Sequence, residues 1–214
     1  MGSGQWAVGS GQWEGGSCEV PASLSAASIP ALPRLVYLTG AMASGKSTVG
    51  PLLADALGTR FVDLDWLVEA RTSRTVAELF AAGGERAFRV AEAGALAETT
   101  RGEPAVVATG GGTLATTANL RTARAAGAVV WLRVSPDVLA QRLERTDLAA
   151  RPLLAGPDGA SLERGALLGR VRLLLDARTP FYARADVIVD ADGPADAVAR
   201  EVADALASWR RAPE

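Results

Sequence analysis

The strongest candidates for chemistry lie in the stretch LTGAMASGKSTVG, which contains the one lysine of the chain. Gly40, Gly45, Lys46 and Ser47 fit the pattern G-x-x-x-x-G-K-[ST], between an apolar run and a helical one. In such a loop, backbone N–H groups converge on a phosphate, the ammonium bridges the β- and γ-phosphates, and the hydroxyl ligates Mg²⁺. An arginine fork suits this point-charge role less well. The motif predicts a nucleoside triphosphate site; the alternative is a glycine-rich turn that binds nothing.

Two carboxylates follow the next apolar run. Asp63 and Asp65 in FVDLDW are two residues apart, so in an extended chain both point to one face. We expect them at the carboxyl edge of a parallel sheet, where open α/β folds bind ligands. One would serve a metal ion and the other a substrate hydroxyl. The alternative is a solvated turn that closes the strand.

Three glycines, Gly110 to Gly112, follow the apolar run AVVAT. Glycine there lets the backbone approach a ligand without a Cβ in the way, although a plain flexible turn would also explain it. This run lacks the terminal aspartate of an ordinary Walker B strand, which makes Asp63 the candidate for metal binding.

Four arginines are candidates for holding anions: Arg89, which is spaced i, i+3 from Glu92, together with Arg145, Arg151 and Arg178. Each alone is typical of a surface charge, and they indicate a site only as a set.

Short apolar runs alternate with helical patterns from Arg34 onward, which predicts a three-layer α/β domain with a mostly parallel sheet. The predicted strands are RLVYLT, RFVDLD, AVVAT, AVVWLRV and DVIVD. The predicted helices are KSTVGPLLADAL, TVAELF, GERAFRVAEAGALAETT, DVLAQRLERT, LERGALLGRVRLLLDAR and ADAVAREVADALASW. Thr75 and Glu78 have capping-box spacing, Gly83 and Gly84 interrupt the helical pattern, and Pro136 fits a first helical turn.

Composition limits the classes of function. The net charge of −2 comes from 22 basic and 24 acidic residues without a block of one sign, so we expect no nucleic-acid partner. Without histidine, proton transfer must use a carboxylate or another group. The single Cys18 excludes an intramolecular disulfide, and no apolar run has membrane-spanning length. We therefore expect a cytoplasmic protein, without a membrane partner.

Residues 1–33 differ from the rest, because GSGQW occurs twice and a Ser/Ala/Pro stretch follows. This composition predicts a disordered extension before a folded domain at 34–214. Two alternatives are a partner-binding tail that uses Trp6 and Trp13, and a start codon assigned too far upstream.

The order and spacing of six elements resemble shikimate kinase, of the nucleoside monophosphate kinase-like P-loop group. They are GAMASGKST, FVDLD, ELFAAGGERAFRVAE, TGGG, ERTDLAARPLL and RTPFYARAD, and the resemblance runs from about Leu35 to Trp209. It implies a five-stranded parallel sheet flanked by helices, substrate-binding helices at about 66–101 and a mobile lid at about 149–161. The implied activity is ATP-dependent phosphorylation of the shikimate 3-hydroxyl in aromatic amino acid biosynthesis, by a monomer that uses Mg²⁺.

The resemblance also implies a role for each matching residue. Asp65 would hold the substrate hydroxyls and act as the base, with Lys46 and Arg151 as its catalytic partners. Arg89 and Arg178 would clamp the substrate carboxylate, Gly111 and Gly112 would add backbone contacts, and Glu92 would orient Arg89. Ser47 and Asp63 would serve the metal, Asp63 through a bound water. The nucleotide-binding set would be Ala43, Ser44, Gly45, Lys46, Ser47, Thr48, Arg145 on the adenine, and Arg151 from the lid.

The chain departs from the family pattern at three points. Ala43 stands where the family usually has glycine, Val90 replaces a common second arginine, and DADGPAD lacks an arginine that many members place against the adenine. We expect weaker or less base-selective nucleotide binding. Two alternatives remain: a kinase for a related acid such as an aminoshikimate, and a catalytically silent relative that binds nucleotide or a partner.

Overall fold

The computed structural model describes residues 32–145 and 162–209. Within these ranges the strands are β1 (Leu35–Thr39), β2 (Arg60–Asp63), β3 (Ala105–Ala108), β4 (Ala128–Arg133) and β5 (Val187–Asp190). The helices there are α1 (Lys46–Ala56), α2 (Leu64–Thr72), α3 (Val76–Thr99), α4 (Thr117–Ala126), α5 (Pro136–Glu144), α6 (Arg164–Tyr182) and α7 (Ala195–Ser208).

The strands form one parallel sheet in the order β2-β3-β1-β4-β5. β1 and β3 are buried along their whole length, as expected for central strands covered by helices on both faces. The core lies on the two faces of the sheet, with Leu38 in one apolar cluster and Tyr37 in the other. The predicted three-layer α/β fold with a five-stranded parallel sheet is confirmed.

The register of the sheet brings three strand ends together. Ala108 of β3 pairs with Asp63 of β2 on one side and with Leu38 of β1 on the other. The chain leaves β1 into the phosphate loop and β3 into the glycine segment, Gly110–Gly112. Because adjacent strands lie about 4.8 Å apart, these segments are neighbours at the carboxyl edge of the sheet.

The predicted second strand is too long. β2 ends at Asp63, and Asp65 lies in the first turn of α2 rather than in extended chain. The cause is helix capping, because the Asp63 carboxylate accepts a hydrogen bond from the Asp65 amide at 3.0 Å. The prediction that Asp63 and Asp65 point to one face of an extended strand is therefore wrong.

The long helix α3 contains the interruption that the sequence predicts. Gly84 has φ 65° and ψ −170°, which kinks the helix between its two halves. The predicted capping box is present, with the Glu78 amide donating to the Thr75 side chain and the Thr75 amide to the Glu78 carboxylate. Arg89 and Glu92 belong to the second half of α3.

Several predictions concern residues outside the described ranges. These are residues 1–31 of the extension predicted at 1–33, with Trp6, Trp13 and Cys18, and the lid predicted at 149–161, with Arg151. Within the described part of the chain, no helix combines the length and apolar character needed to cross a membrane.

Candidate active site

The phosphate loop joins β1 to α1 and leaves backbone N–H groups at the amino end of the helix. Gly45 is the N-cap of α1 with φ 98°, a conformation that favours glycine. The Lys46 ammonium folds over the loop and donates to the carbonyls of Gly40 at 3.0 Å and Ala41 at 2.8 Å. This geometry collects positive charge where a phosphate would bind.

Ala43 has the left-handed conformation, with φ 61°. A residue with a Cβ pays about 1–2 kcal/mol for this conformation. The departure noted in the sequence therefore places local strain in the phosphate loop.

Ser47 and Asp63 meet beside the loop. The Ser47 hydroxyl donates to Asp63 Oδ2 at 2.8 Å, while the other Asp63 oxygen caps α2. A hydroxyl and a carboxylate at the phosphate end of the loop are the oxygen ligands that suit Mg²⁺, which usually takes one or two protein carboxylates together with substrate phosphates. The pair therefore fits the metal role predicted for it.

Two cavities adjoin the phosphate loop. One, of about 320 Å³, lies on the side of α7. The other, of about 280 Å³, lies on the side of α2 and is lined by Lys46, Asp65 and Gly110. Asp65 Oδ1 is buried without a hydrogen-bond partner within the described residues. Burial is the largest of the causes that raise the pKa of the Asp65 carboxyl to about 6; the carboxylates of Asp63 and Glu92 act in the same direction, and Lys46 opposes them.

The glycine segment is packed against three charged side chains. A Cβ on Gly110 would lie 2.6 Å from Glu92 Oε1, one on Gly111 would lie 3.2 Å from Arg178 Nη1, and one on Gly112 would lie 2.7 Å from Arg89 Nη2. The segment therefore runs close against these side chains, which an added Cβ would displace, and the alternative of a plain flexible turn does not explain this packing. The same contacts bring Arg89 and Arg178 to the segment whose first two residues line the cavity of Lys46 and Asp65.

A buried carboxylate holds Arg89. Glu92 is fully buried and accepts from Arg89 Nη1 at 2.8 Å and from the Thr113 hydroxyl at 2.5 Å. On the opposite side, Glu85 accepts from Arg89 Nη2 at 3.0 Å. The predicted i, i+3 pair of Arg89 with Glu92 is present, and the guanidinium is fixed from two directions.

Tyr182 is buried one helical turn after Arg178 in α6, and its hydroxyl donates to the Gly111 carbonyl. The helix α6 continues past its predicted end and past Pro180. The ring of Tyr182 packs against Trp131, with 5.7 Å between the ring centroids. Sequence reasoning singled out RTPFYARAD without giving Tyr182 a role, although its i, i+4 spacing from Arg178 was a usable signal.

The 320 Å³ cavity lies between the phosphate loop and the segment that joins β5 to α7. Ala43, Ser44 and Gly45 form one wall, and Ala191, Gly193 and Ala195 form the other. Arg142 of α5 lines this space as well. The volume of this cavity and its place beside the phosphate loop suit the base of a nucleotide.

The structure assembles most of the residues predicted from the sequence. The 280 Å³ cavity is lined by Ala43, Gly45, Lys46, Ser47, Thr48, Asp63, Asp65, Gly110 and Gly111. Arg145 is exposed at the carboxyl end of α5, and its adenine contact stays a prediction. Sequence reasoning missed Thr113, Glu85 and Arg142, of which only Glu85 had a local signal, its i, i+4 spacing from Arg89.

Known proteins similar to this chain include several named shikimate kinase. A family model described as shikimate kinase matches residues 42–207. Proteins named shikimate kinase from Symbiobacterium thermophilum and Moorella thermoacetica are 48% identical over 150 residues and 42% identical over 179 residues, respectively. These alignments cover 70% and 83% of this chain, and 82% and 97% of the relatives.

A solved structure has the same fold. Shikimate kinase from Acinetobacter baumannii, determined in complex with shikimate, matches with a TM-score of 0.73 and 32% sequence identity. The match covers 83% of this chain and 94% of that one. Together with the family model, which spans more than half of the chain, these similarities mean that the protein belongs to the shikimate kinase family.

Proposed function

We propose that this protein transfers the γ-phosphoryl group of ATP to the 3-hydroxyl of shikimate, giving 3-phosphoshikimate and ADP, in aromatic amino acid biosynthesis. The observation that carries the proposal is the position of Asp65: its carboxylate has a buried, unpartnered oxygen in the cavity that Lys46 lines. Family membership and a relative solved with shikimate support the choice of substrate. The related acids considered as alternatives, such as an aminoshikimate, have no observation in their favour.

The phosphate loop would bind the triphosphate of ATP. Backbone N–H groups at the start of α1 face this site, and Lys46 would exchange its loop carbonyls for the β- and γ-phosphate oxygens. The adenine base of ATP would lie in the 320 Å³ cavity between the phosphate loop and the segment before α7. Arg145 would contact the adenine, and Arg151 would contact the phosphates.

Ser47 and Asp63 would hold magnesium, Asp63 through a bound water. Bound there, Mg²⁺ supplies charge neutralisation on the phosphate oxygens. In the chain itself, Asp63 keeps the Ser47 hydroxyl in place at 2.8 Å and caps α2, so the same carboxylate also fixes the position of Asp65.

The acceptor would lie against the glycine segment. Arg89 and Arg178 would clamp its carboxylate, for which the planar arginine fork is well suited, and Gly111 and Gly112 would add backbone contacts. Glu92 and Glu85 keep the Arg89 guanidinium in one orientation. The acceptor hydroxyl would then face Asp65.

Asp65 would act as the base. Its oxygen takes the hydroxyl proton as the substrate oxygen forms a bond to the γ-phosphorus and the bond from that phosphorus to the β–γ bridging oxygen breaks. With a pKa of about 6, the carboxyl is ionised at neutral pH and is a better proton acceptor than an ordinary aspartate. Phosphoryl transfer otherwise needs mainly positioning and charge neutralisation, which the loop and the arginines provide.

The proposal includes the domain organisation and the setting. The catalytic domain is 34–214 after an extension at 1–33, with acceptor-binding helices at about 66–101 and a mobile lid at about 149–161. We further propose a cytoplasmic monomer, since ATP is supplied in the cytoplasm and the acceptor and phosphate groups described above all come from one chain.

The test is ADP release by the full-length protein with ATP and Mg²⁺. Release should depend on shikimate and saturate with it, and the product should be 3-phosphoshikimate by mass spectrometry. A panel of related polyhydroxylated acids, including aminoshikimate, serves as the comparison. A member of the panel with a higher kcat/KM than shikimate would replace it as the substrate, while nucleotide binding without transfer to any member would support the silent relative.

A further inference from the structure

Arg142 contacts two segments of the chain that are far apart in sequence. It lies in the last turn of α5, and its guanidinium contacts carbonyl groups outside that helix. Nη2 donates to the carbonyls of Ala191 at 2.9 Å and Asp192 at 3.1 Å. Nη1 donates to those of Ala43 at 3.3 Å and Ser44 at 3.5 Å. One side chain thus bridges the segment after β5 and the phosphate loop.

The two bridged segments are the two walls of the 320 Å³ cavity. Ala43 and Ser44 belong to one wall and Ala191 to the other, and Arg142 itself lines the space between them. One guanidinium group therefore contacts both walls of this cavity.

We propose that Arg142 is a positioning residue that fixes the separation of these walls and so determines how tightly the base of a nucleotide binds. This inference rests on the proposed function only in taking the cavity as the site of the base. It gives a role to a residue that neither the motif nor the family resemblance singled out.

The phosphate loop has further contacts of its own. The Ser44 amide donates to the Ala41 carbonyl at 3.2 Å, and Lys46 holds the carbonyls of Gly40 and Ala41. The two Arg142 contacts to this loop are the longer pair, so its loss should leave phosphate binding largely intact. Binding of the nucleotide base, in contrast, depends on both walls of the 320 Å³ cavity.

Arginine is the residue type that can make this bridge. Its planar group directs N–H donors from two nitrogens in fixed directions, whereas the lysine ammonium is a single point on a flexible stem. All four acceptors are backbone carbonyls, which no substitution within the loops would remove. Arg142→Lys should therefore keep the charge and lose most of the bridge.

The test compares binding of ADP and of inorganic tripolyphosphate, which has no base, by calorimetry. In Arg142→Ala the dissociation constant of ADP should rise about ten-fold, because the cost of ordering the two walls, which Arg142 holds in place in the parent protein, then comes out of the binding free energy. That of tripolyphosphate should change by less than about two-fold, as should the KM for shikimate. Arg142→Lys should show the same selective loss, to a smaller degree. Gln141→Ala, an exposed position on the same helix, is the control and should match the parent protein.

Unchanged ADP binding in Arg142→Ala would overturn the proposal, and so would an equal loss of ADP and tripolyphosphate, which would make Arg142 a support of the phosphate loop alone. If Arg142→Ala does not fold, Arg142→Lys decides by the same two measurements. Failure of the proposed function is seen separately, as absence of shikimate-dependent ADP release by the parent protein while it still binds ADP.

Discussion

The two sides of the cleft are built from contacts of very different range along the chain. On the nucleotide side, Lys46 contacts groups two to six residues away, at Gly40, Ala41 and Ser44. On the acceptor side, Glu92 contacts Thr113, which is 21 residues away, and Tyr182 contacts Gly111, which is 71 residues away. A phosphate site can be made by one loop and one helix end, whereas a site for a specific acid needs several buried charged groups brought together by the whole fold.

Asp65→Asn should have the largest effect, and it should impair catalysis on the acceptor side while leaving nucleotide binding unchanged. We expect kcat to fall by about 10²–10⁴, the contribution of a positioned general base. ADP binding, measured by calorimetry, should stay within about two-fold because the phosphate loop is untouched. Asp55→Asn, an exposed aspartate on α1, is the matched control. A kcat close to that of the parent protein in Asp65→Asn would remove Asp65 from the role of base.

The acceptor side should also show a pH dependence that the nucleotide side lacks. Because the pKa of Asp65 is about 6, kcat/KM for shikimate should fall about ten-fold per pH unit below that value. Once corrected for protonation of the terminal phosphate of ADP, which has a second pKa of about 6, ADP binding should be nearly constant from about pH 5.5 to 7.5. A rate profile that is flat down to pH 5 would contradict the raised pKa.

The same group makes stability depend on pH. The folded-state pKa of Asp65 is above its ordinary value of 3.8, so this group's contribution is fully present below about pH 4 and is lost as the pH rises through about 6. Asp65→Asn should therefore raise the melting temperature at pH 7.5, while at pH 4 the variant and the parent protein should melt together. Calorimetric scans at the two pH values provide the measurement.

Glu92→Gln should weaken acceptor binding without abolishing the chemistry. The amide keeps the shape and a contact with Thr113, but it loses the charge that holds Arg89. We expect a roughly ten-fold higher KM for shikimate and a free energy of unfolding lower by about 1–3 kcal/mol. Glu85→Gln removes the exposed partner of the same arginine and should cost less than about 1 kcal/mol. Equal effects of the two substitutions would mean that burial of Glu92 is unimportant.

Ala43→Gly is the mildest change and sharpens the picture of the nucleotide side. It removes the strain at φ 61° but makes the unfolded chain more flexible, so a net gain below about 1 kcal/mol is expected. The melting temperature should rise by up to about 4 °C. Ala41→Gly, in the same loop but without positive φ, is the control and should lower it. A lower melting temperature in Ala43→Gly would show that the strain is compensated elsewhere.

The sequence was sufficient to predict those parts that depend on local patterns. Each of these parts is encoded by a short stretch of neighbouring residues. They are the phosphate loop, the five strands, the interruption at Gly84 and the Arg89–Glu92 pair. The helix α4 was not predicted, because its sequence is polar and only Leu120 and Ala123 are buried. The end of β2 was placed two residues late, because the capping role of Asp63 was not recognised.

The rest of the site depends on tertiary packing. Arg142 contacts backbone carbonyl groups about fifty and a hundred residues away. Every residue type has a backbone carbonyl, so the sequence of these loops does not indicate which of them accept a hydrogen bond. The contact of Thr113 with Glu92 likewise requires the fold to bring the segment after β3 beside α3. Such pairs are set by the global fold, and a motif can indicate that a site exists without naming the residues that support it.

The glycine segment has a consequence for mutational tolerance. The atoms that an added methyl group would meet at Gly111 and Gly112 are the ends of arginine side chains, which can move aside at little cost to folding. At Gly110 the obstacle is the fully buried Glu92, which has nowhere to go. A library of alanine variants across this segment should therefore separate into two phenotypes: well-folded protein with poor affinity for the acid at the last two positions, and poorly folded protein at the first.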